Sequence, residues 1–327
     1  MPVTRAAERR ALITGGAGFI GSHLADKLLA RGWRVAAFDN LCVGRRENVA
    51  HLGADPRFAL IPGDVADRRA VTRAMEDSGA DTIFHLAALH YIPYCDAHPA
   101  DAVRVNVLGT QTVAEAAAAG AVAKIVFAST SDVYAVKETP HREDDPLEPY
   151  TVYGTSKLCA ERALAIAASV DRGLSVAVAR FFNVYGPRET NPHVLPEIFS
   201  QLSAGDGQTV RLGNLWPKRD FVYVDDVTEA LVRMAGTGTP FDVFNVGSGE
   251  ARSIQDAVEC VAGLVGRRIR VETDPARARP VERACLAGDI GKARRGLDWE
   301  PAWCLEDGLR AWWHAEWSPS RGAVAAR

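Results

Sequence analysis

The chain has 327 residues, of which 47% are hydrophobic and 24% charged, and its formal net charge is −3. This composition is typical of a globular protein, and the charge gives no electrostatic basis for binding nucleic acid or an acidic membrane surface. No apolar run reaches the roughly 20 residues that a membrane-spanning helix needs. The length favours one large domain with a second, smaller one. Residues 1–10 carry no signal-peptide pattern, so we expect a cytoplasmic protein.

A glycine-rich segment follows the first predicted strand. Residues 11–13 are apolar, and Gly15-x-x-Gly18-x-x-Gly21 leads into a helical pattern that ends near Leu29. The spacing differs from the usual Gly-x-Gly-x-x-Gly pattern. A strand, a glycine turn and a helix in this order still form a phosphate cradle, because the helix N-terminus presents free N–H groups to a pyrophosphate. The predicted cofactor-binding residues of this segment are Gly15, Gly18, Phe19, Ile20 and Gly21.

The second predicted strand, residues 34–38, ends at Asp39 and Asn40, about twenty residues beyond the glycine loop. An acidic side chain at this distance can accept hydrogen bonds from both hydroxyls of an adenosine ribose and would repel a 2′-phosphate. Asp39 therefore favours NAD over NADP. Arg45 and Arg46 weaken this preference, unless they belong to a solvated loop.

Residues after the third and fourth predicted strands continue the cofactor site. Asp64, followed by Val65, either contacts the adenine amino group or caps a helix over residues 66–76. Leu86, Ala87 and Ala88 follow the strand of residues 82–84, and small side chains there let a cofactor approach the backbone. We interpret the preceding histidine, His85, as structural.

A loop over residues 89–99 carries His90 and two tyrosines, and we expect it to form part of a substrate-binding wall. A helix is predicted over residues 101–119, with Asn106 as a further cofactor contact. Six scattered cysteines without a Cys-x-x-Cys pair favour reduced thiols, and no metal site is predicted.

The segment with the most chemical content is Tyr153-Gly154-Thr155-Ser156-Lys157. Side chains at positions i and i+4 share one face of a helix. An ammonium beside the phenol favours the phenolate and so predicts a lowered pKa for Tyr153. The pair is then a candidate acid/base for an alcohol. Thr130 and Asp132 follow the strand of residues 124–128, where side chains of a parallel sheet point into the ligand crevice.

The alternation of strands and helices predicts an α/β fold with a doubly wound parallel sheet. We expect a NAD-binding Rossmann domain over residues 1–182, which also receives residues 219–262. A smaller, mostly helical substrate lobe is expected from residues 183–218 and 263–327. Asp225 and Asp226 are interpreted as a helix N-cap rather than as a catalytic carboxylate pair.

Eight segments together resemble the extended short-chain dehydrogenase/reductase family, specifically its NAD-dependent sugar-nucleotide epimerases and dehydratases. They are TGGAGFIG (14–21), DN (39–40), HLAA (85–88), ST (129–130), YGTSK (153–157), FNVYGPR (182–188), RDFVYVDD (219–226) and LDWEP (297–301).

The resemblance implies a bound NAD and a nucleoside-diphosphate sugar between the two lobes. It makes Tyr153 the base, Lys157 its partner and a ligand of the NAD ribose, and Thr130 a hydroxyl bonded to the sugar oxygen. The implied substrate-binding residues are His90, Thr130, Asn183, Arg188, Arg219 and Arg279. The family also implies a homodimer through the helices near residues 101–119 and 152–170.

The reaction depends on the residues after Thr130. A C4 epimerase needs no further acid, whereas a 4,6-dehydratase or a uronate decarboxylase uses a carboxylate just after the threonine. Here Ser131 departs from the dehydratase pair, and Asp132 keeps a carboxylate that is one methylene shorter than glutamate. The favoured hypothesis is C4 epimerisation of a UDP-hexose or another nucleoside-diphosphate hexose. Dehydration or decarboxylation through Asp132 is the alternative, and a local turn is the structural reading of Asp132.

Overall fold

A computed structural model describes residues 8–120, 122–189, 191–204, 207–277 and 282–317. The strands are β1 (Arg10–Thr14), β2 (Arg34–Asp39), β3 (Phe58–Pro62), β4 (Thr82–His85), β5 (Lys124–Thr130), β6 (Ser175–Phe181), β7 (Asn183–Tyr185), β8 (Thr209–Leu212), β9 (Lys218–Arg219), β10 (Phe221–Tyr223), β11 (Phe241–Val246), β12 (Arg252–Ser253), β13 (Arg270–Thr273) and β14 (Cys285–Leu286).

Helices surround these strands. They are α1 (Phe19–Ala30), α2 (Arg68–Ser78), α3 (Ile92–Ala97), α4 (Pro99–Ala102), α5 (Gly109–Ala119), α6 (Val152–Val170), α7 (Val194–Ala204), α8 (Val224–Met234), α9 (Ile254–Val265), α10 (Gly291–Leu297) and α11 (Leu305–Trp312), with π-helical turns at Val103–Leu108 and Trp313–Trp317. No helix of the described ranges is long and apolar enough to cross a bilayer.

The central sheet is parallel and has seven strands in the order β11-β6-β5-β4-β1-β2-β3. The predicted doubly wound α/β sheet is therefore confirmed. The chain builds outward from β1 to β3 and then restarts at β4 on the other side of β1, with Thr14 in register with His85. This reversal leaves a crevice at the carboxyl ends of β1 and β4, which is where open parallel sheets bind ligands.

Each face of the sheet buries its own apolar cluster, because strands covered on both sides bury both sets of side chains. One cluster packs α1, α8 and α10 against the sheet, and the other packs α2, α5 and α6. A third cluster joins α7, α9 and α11 with β8 and β10, and it includes the buried Trp312. The crevice is therefore bounded by the sheet below and by this third cluster above.

The helix expected over residues 101–119 is continuous, with a π-helical turn between α4 and α5. Two local predictions were wrong. The loop expected over residues 89–99 contains α3. Asp226 does not cap α8, whose N-cap is Tyr223 without a side-chain bond. Its carboxylate instead accepts hydrogen bonds from the Ala302 and Trp303 backbone N–H groups, so it holds the last segment of the chain against α8.

The two-lobe division stays a proposal, and the packing suggests one refinement. Strand β11 pairs with β6 and α8 packs on the sheet, as expected for residues 219–246. Helix α9 belongs to the third cluster. We therefore propose that the chain leaves the sheet domain after β11, rather than at residue 262, and returns to it with α10.

Candidate active site

The glycine turn between β1 and α1 packs too closely for side chains. Gly15 has a φ of +71°, and a Cβ there would lie 2.9 Å from the Ala87 backbone nitrogen. A Cβ on Gly21 would lie 2.1 Å from the Gly15 carbonyl oxygen. Gly18 caps α1 without a side-chain bond, so the first N–H groups of the helix have no capping side chain. This geometry fits a pyrophosphate held by backbone N–H groups at a helix N-terminus.

Asp39 lies at the end of β2 beside this turn. Its carboxylate accepts hydrogen bonds from the Ala17 N–H at 3.0 Å and from the Leu41 N–H at 2.8 Å. Each carboxylate oxygen keeps a further lone pair for a ribose hydroxyl. Burial raises the pKa of Asp39, and the two N–H donors oppose that shift. The Asp39 carboxylate is therefore held at the end of β2, beside the glycine turn, as the sequence predicts.

Asp64 and Asn106, both predicted to contact the cofactor, do not line the cavity described below. Asp64 accepts a hydrogen bond from the Ala66 N–H and pairs with Arg104 at 3.1 Å. Helix α2 is capped by Asp67, so the capping role proposed for Asp64 was wrong.

Asn106 has a positioning role instead. Its buried amide exchanges two hydrogen bonds of 2.8 Å with the Leu89 backbone and donates to the Ser156 hydroxyl at 2.9 Å. It thereby ties the loop after β4 to the helix that carries Tyr153.

His85 is structural, as expected. The Thr110 hydroxyl donates its proton to the Asn106 carbonyl, so this hydroxyl accepts a hydrogen bond from His85 Nε2. His85 Nδ1 in turn accepts a hydrogen bond from the Thr14 hydroxyl at 2.7 Å. Burial, with a smaller contribution from the charge of Lys157, lowers the pKa of His85 to about 3. The chain of hydrogen bonds joins β1 and β4 to the start of α5 beneath the crevice.

This shift predicts a pH dependence of stability. In the unfolded chain His85 gains a proton as the pH falls below its ordinary pKa of 6.5, whereas in the folded protein it stays neutral down to about pH 3. The stabilisation is therefore complete above pH 6.5 and is lost progressively as the pH falls towards 3. We expect His85→Gln to reduce the loss of unfolding free energy between pH 7 and about pH 4.5 by about 2 kcal/mol. Urea unfolding at both pH values measures this, and an equal loss in both proteins would contradict it.

Tyr153 and Lys157 lie on one face of α6, at the carboxyl ends of β4 and β5. The Lys157 ammonium is 4.2 Å from the centre of the Phe127 ring, and only 1% of the residue is exposed. Burial lowers the pKa of Lys157 to about 7. A titratable cation therefore lies one helical turn from the phenol.

The predicted lowering of the Tyr153 pKa was wrong, because the protein itself raises this pKa. Burial and, to a lesser extent, the charge of Asp132 raise the pKa of Tyr153, while a hydrogen bond with Thr130 acts the other way. Desolvation of the phenol is the largest cause, and the lysine that should offset it is itself desolvated and only partly charged near neutral pH. Thr130 and Tyr153 lie close to each other on the wall of the cavity described below.

Asp132 is half-buried next to Thr130. Its backbone N–H donates to the Thr130 hydroxyl at 3.1 Å, and the hydroxyl lies 3.4 Å from the Asp132 carboxylate. These contacts agree with a local turn. The carboxylate also lines the cavity and acts on the Tyr153 pKa, so both interpretations of Asp132 persist in the structure.

A single cavity of about 1110 Å³ joins these groups along the crevice. The predicted residues that line it are Gly15, Gly18, Phe19, Ile20, Gly21, Asp39, Asn40, Val65, Leu86, Ala87, Ala88, His90, Thr130, Asp132, Tyr153, Lys157, Asn183 and Arg219. The glycine turn and the Tyr153–Lys157 pair thus face one space, large enough for two ligands side by side.

Comparison with known proteins agrees with this geometry. A family model described as GDP-mannose 4,6 dehydratase matches residues 12–312. A UDP-glucose 4-epimerase of Mycolicibacterium smegmatis is 35% identical over 92% of this chain and 96% of its own length. A UDP-glucuronic acid decarboxylase 1 of Danio rerio is 34% identical over 92% of this chain and 71% of its own.

Among solved structures, the UDP-glucuronic acid 4-epimerase of Bacillus cereus in complex with UDP-glucuronic acid and NAD superposes with a TM-score of 0.84. It is 28% identical and covers 93% of this chain and 98% of its own. The chain belongs to the extended short-chain dehydrogenases/reductases that act as sugar-nucleotide epimerases and dehydratases.

Arg188, predicted to bind substrate in this epimerase/dehydratase, does not line the cavity. Arg188 has a φ of +64° and turns towards α1, where its guanidinium pairs with Asp26 at 2.9 Å. Its backbone N–H donates to Glu316. The αL turn after β7 therefore carries Arg188 away from the cavity. Arg279 lies outside the described residues.

Arg219 lines the cavity. Its guanidinium pairs with Glu282 and donates to the Lys218 and Arg283 carbonyls at 2.8 and 3.0 Å. These contacts fix the Arg219 side chain on the cavity wall. His90 also lines the cavity and contacts the Asn191 amide at 2.9 Å, and burial lowers the pKa of His90 to about 4.

The sequence analysis missed several residues on the walls of this epimerase/dehydratase cavity. They include Arg104, Tyr150, Glu189, Arg277, Glu282 and Arg283. None belongs to a motif with a fixed spacing. The one available signal was the density of arginines over residues 267–283, from which we selected Arg279 alone.

Proposed function

We propose that this protein is a NAD-dependent enzyme that interconverts a UDP-hexose and its C4 epimer through a 4-keto intermediate. The observation that carries the proposal is that the glycine cradle and the Thr130, Tyr153 and Lys157 side chains face one cavity. The UDP-glucose 4-epimerase of M. smegmatis supports the same reaction.

The residues of the cradle fit NAD. Side chains are excluded at Gly15 and Gly21, the start of α1 is free to bind a pyrophosphate, and Asp39 offers carboxylate lone pairs to ribose hydroxyls while opposing a 2′-phosphate. When bound, NAD supplies reversible hydride transfer at C4 of the sugar.

The chain's own residues move the proton. Tyr153 takes it from the C4 hydroxyl, and Thr130, which lies beside the phenol in the same cavity, orients that hydroxyl. Protonated Lys157 carries a positive charge that offsets the phenolate charge. Lys157 is mostly protonated below its pKa of about 7. After the 4-keto sugar has rotated to present its other face, Tyr153 returns the proton to the same oxygen. Because Tyr153 both takes and returns this proton, epimerisation needs no further acid.

The alternative is decarboxylation of UDP-glucuronate or 4,6-dehydration of an NDP-sugar. It is supported by the D. rerio relative, and by Asp132, whose carboxylate lines the cavity beside Thr130. One methylene fewer than glutamate shortens its reach, which opposes this alternative.

The reaction can be assigned with UDP-glucose and UDP-glucuronate incubated without added cofactor and followed by NMR. A C4 epimer is expected, whereas a 4-keto-6-deoxy sugar or released carbon dioxide would support the alternative. We expect Asp132→Asn to keep epimerisation within about tenfold of wild type, because the amide preserves the turn and removes only a charge. A loss of about a thousandfold would show that the carboxylate takes part in the chemistry.

We further propose a homodimer and a cytoplasmic location. Val103, Leu108, Ile166 and Val170, on two helical segments that pack together, are 45%, 56%, 64% and 79% exposed, which suits a second copy of this chain. The six cysteines are free thiols, as in a reducing compartment. Size-exclusion chromatography with light scattering and cell fractionation test the two proposals, which a monomer or a secreted protein would contradict.

A further inference from the structure

A buried ion pair joins α6, the helix that carries Tyr153 and Lys157, to the central sheet. Glu161 on α6 and Arg180 on β6 are each 3% exposed. Arg180 donates to the two carboxylate oxygens of Glu161, from Nε at 3.0 Å and from Nη2 at 2.7 Å. The Ser129 hydroxyl, near the end of β5, donates to the same carboxylate. Because it accepts three hydrogen bonds, two of them from a guanidinium, this carboxylate is held in its charged form.

The position of Glu161 on α6 connects the ion pair to the proton-transfer residues. A buried ion pair is weak evidence for stability, because apolar side chains of similar volume often stabilise a core as well. Glu161 follows Lys157 by four residues, so the two lie on one face of α6 together with Tyr153. Lys157 is 1% exposed, and its ammonium packs on the uncharged Phe127 ring of β5. Glu161 thus places a fixed negative charge one turn from a desolvated ammonium.

The other titratable groups that face Lys157 are neutral near neutral pH. Lys157 acts on His85 of β4 and on His90 of the following loop, and burial lowers the pKa of His85 to about 3 and that of His90 to about 4. Burial also raises the pKa of Tyr153. Within the described part of the chain, Glu161 is therefore the charged group that opposes the effect of burial on the pKa of Lys157.

The remaining ionisable groups packed against this part of α6 act on other residues. Asp132, after β5, and the Cys95 thiol of α3 act on the pKa of Tyr153. The guanidinium of Arg180 faces Glu161. Neither side chain of the ion pair lines the cavity, so the pair acts on the reaction through Lys157.

We propose that Glu161 is a positioning residue for the proton transfer: held by Arg180 and Ser129, it keeps Lys157 protonated beside Tyr153. This inference rests on the proposed function for the role of Lys157 and adds the residue that maintains its charge. Lys157 carries its charge below its pKa, and a nearby negative charge extends that range upwards. Loss of Glu161 therefore moves the alkaline limit of the reaction to lower pH.

The protonation of Lys157 can be measured without turnover. The chain has six lysines, so carbon-13 labelling of lysine in the NAD-loaded protein gives few signals, and Lys157→Met assigns the one that matters. Glu161→Gln keeps the shape of the side chain and removes its charge. We expect it to lower the affinity of Lys157 for its proton at least about tenfold, which moves the NMR titration midpoint about one pH unit lower.

Two controls separate charge from shape. Glu161→Asp keeps the charge and shortens the side chain, so the Lys157 midpoint should stay within about 0.5 pH unit of wild type. Glu115→Gln removes an exposed carboxylate from the neighbouring helix α5 and should leave the midpoint unchanged. In Glu161→Gln, the alkaline limb of the kcat profile for epimerisation should move to lower pH by the same amount as the midpoint.

Glu161→Gln leaves the buried Arg180 without its counter-ion. If this variant does not fold, Glu161→Gln combined with Arg180→Gln removes both charges and should move the Lys157 midpoint in the same direction. An unchanged midpoint in a folded variant without the Glu161 charge would overturn the proposal, and so would an equal displacement in Glu161→Asp and Glu161→Gln. Failure of the proposed function looks different: the protein would epimerise no UDP-sugar at any pH, while the lysine titration would still decide the role of Glu161.

Discussion

Replacing Tyr153 with phenylalanine should lower kcat for C4 epimerisation by about a thousandfold, because it removes the group that exchanges a proton with the C4 oxygen. Affinity for the UDP-sugar should stay within a few-fold, since the ring is retained and Thr130 keeps its place beside Asp132. Steady-state kinetics together with calorimetric binding separate the two effects.

Tyr223→Phe is a matched control. Tyr223 is also a buried tyrosine, in the cluster that joins α7, α9 and α11, and it does not line the cavity. Loss of the Tyr223 hydroxyl should change kcat by less than about twofold. If Tyr153→Phe behaved like Tyr223→Phe, proton transfer by Tyr153 would be refuted.

Gly21→Ala should lower kcat/KM about a hundredfold and destabilise the protein by about 1–3 kcal/mol. The new Cβ would lie 2.1 Å from the Gly15 carbonyl oxygen and 2.9 Å from the Gly16 Cα, and both are backbone atoms of the cradle itself. The turn must shift to accommodate it, and with it the N–H groups that face the pyrophosphate. NAD released from the denatured variant and its urea unfolding curve measure the two consequences.

Gly263→Ala provides the contrast within the same protein. This glycine lies in α9, and a Cβ there meets no atom within 4 Å. Alanine is the better helix former, so the variant should be more stable by up to about 1 kcal/mol with unchanged NAD content. Similar behaviour of the two variants would mean that close packing of the glycine turn is not what the cofactor requires.

Much of the site could be predicted from the sequence because its parts are local patterns. The Tyr153–Lys157 spacing, the glycine turn and the acid at the end of β2 each occupy one element and its border. A doubly wound sheet then brings the carboxyl ends of those elements together, so Thr130, Tyr153 and Gly15 share one cavity.

The errors concern contacts between distant segments. Asp226 binds the backbone of Ala302 and Trp303, and Arg188 pairs with Asp26 on α1. Arg283 meets Tyr134 across 149 positions. Helix periodicity and turn composition contain no information about such pairs. The Tyr153 pKa was mispredicted for a related reason, since desolvation depends on everything packed around the phenol.

The central claim is that hydride leaves C4 of the sugar and returns to its other face inside this cavity. A UDP-hexuronate or UDP-hexose with deuterium at C4, incubated with the protein and no added cofactor, tests it most directly by NMR. We expect the C4 epimer with the deuterium retained at C4. An epimer that had exchanged this deuterium with solvent, or the absence of any change at C4, would contradict it.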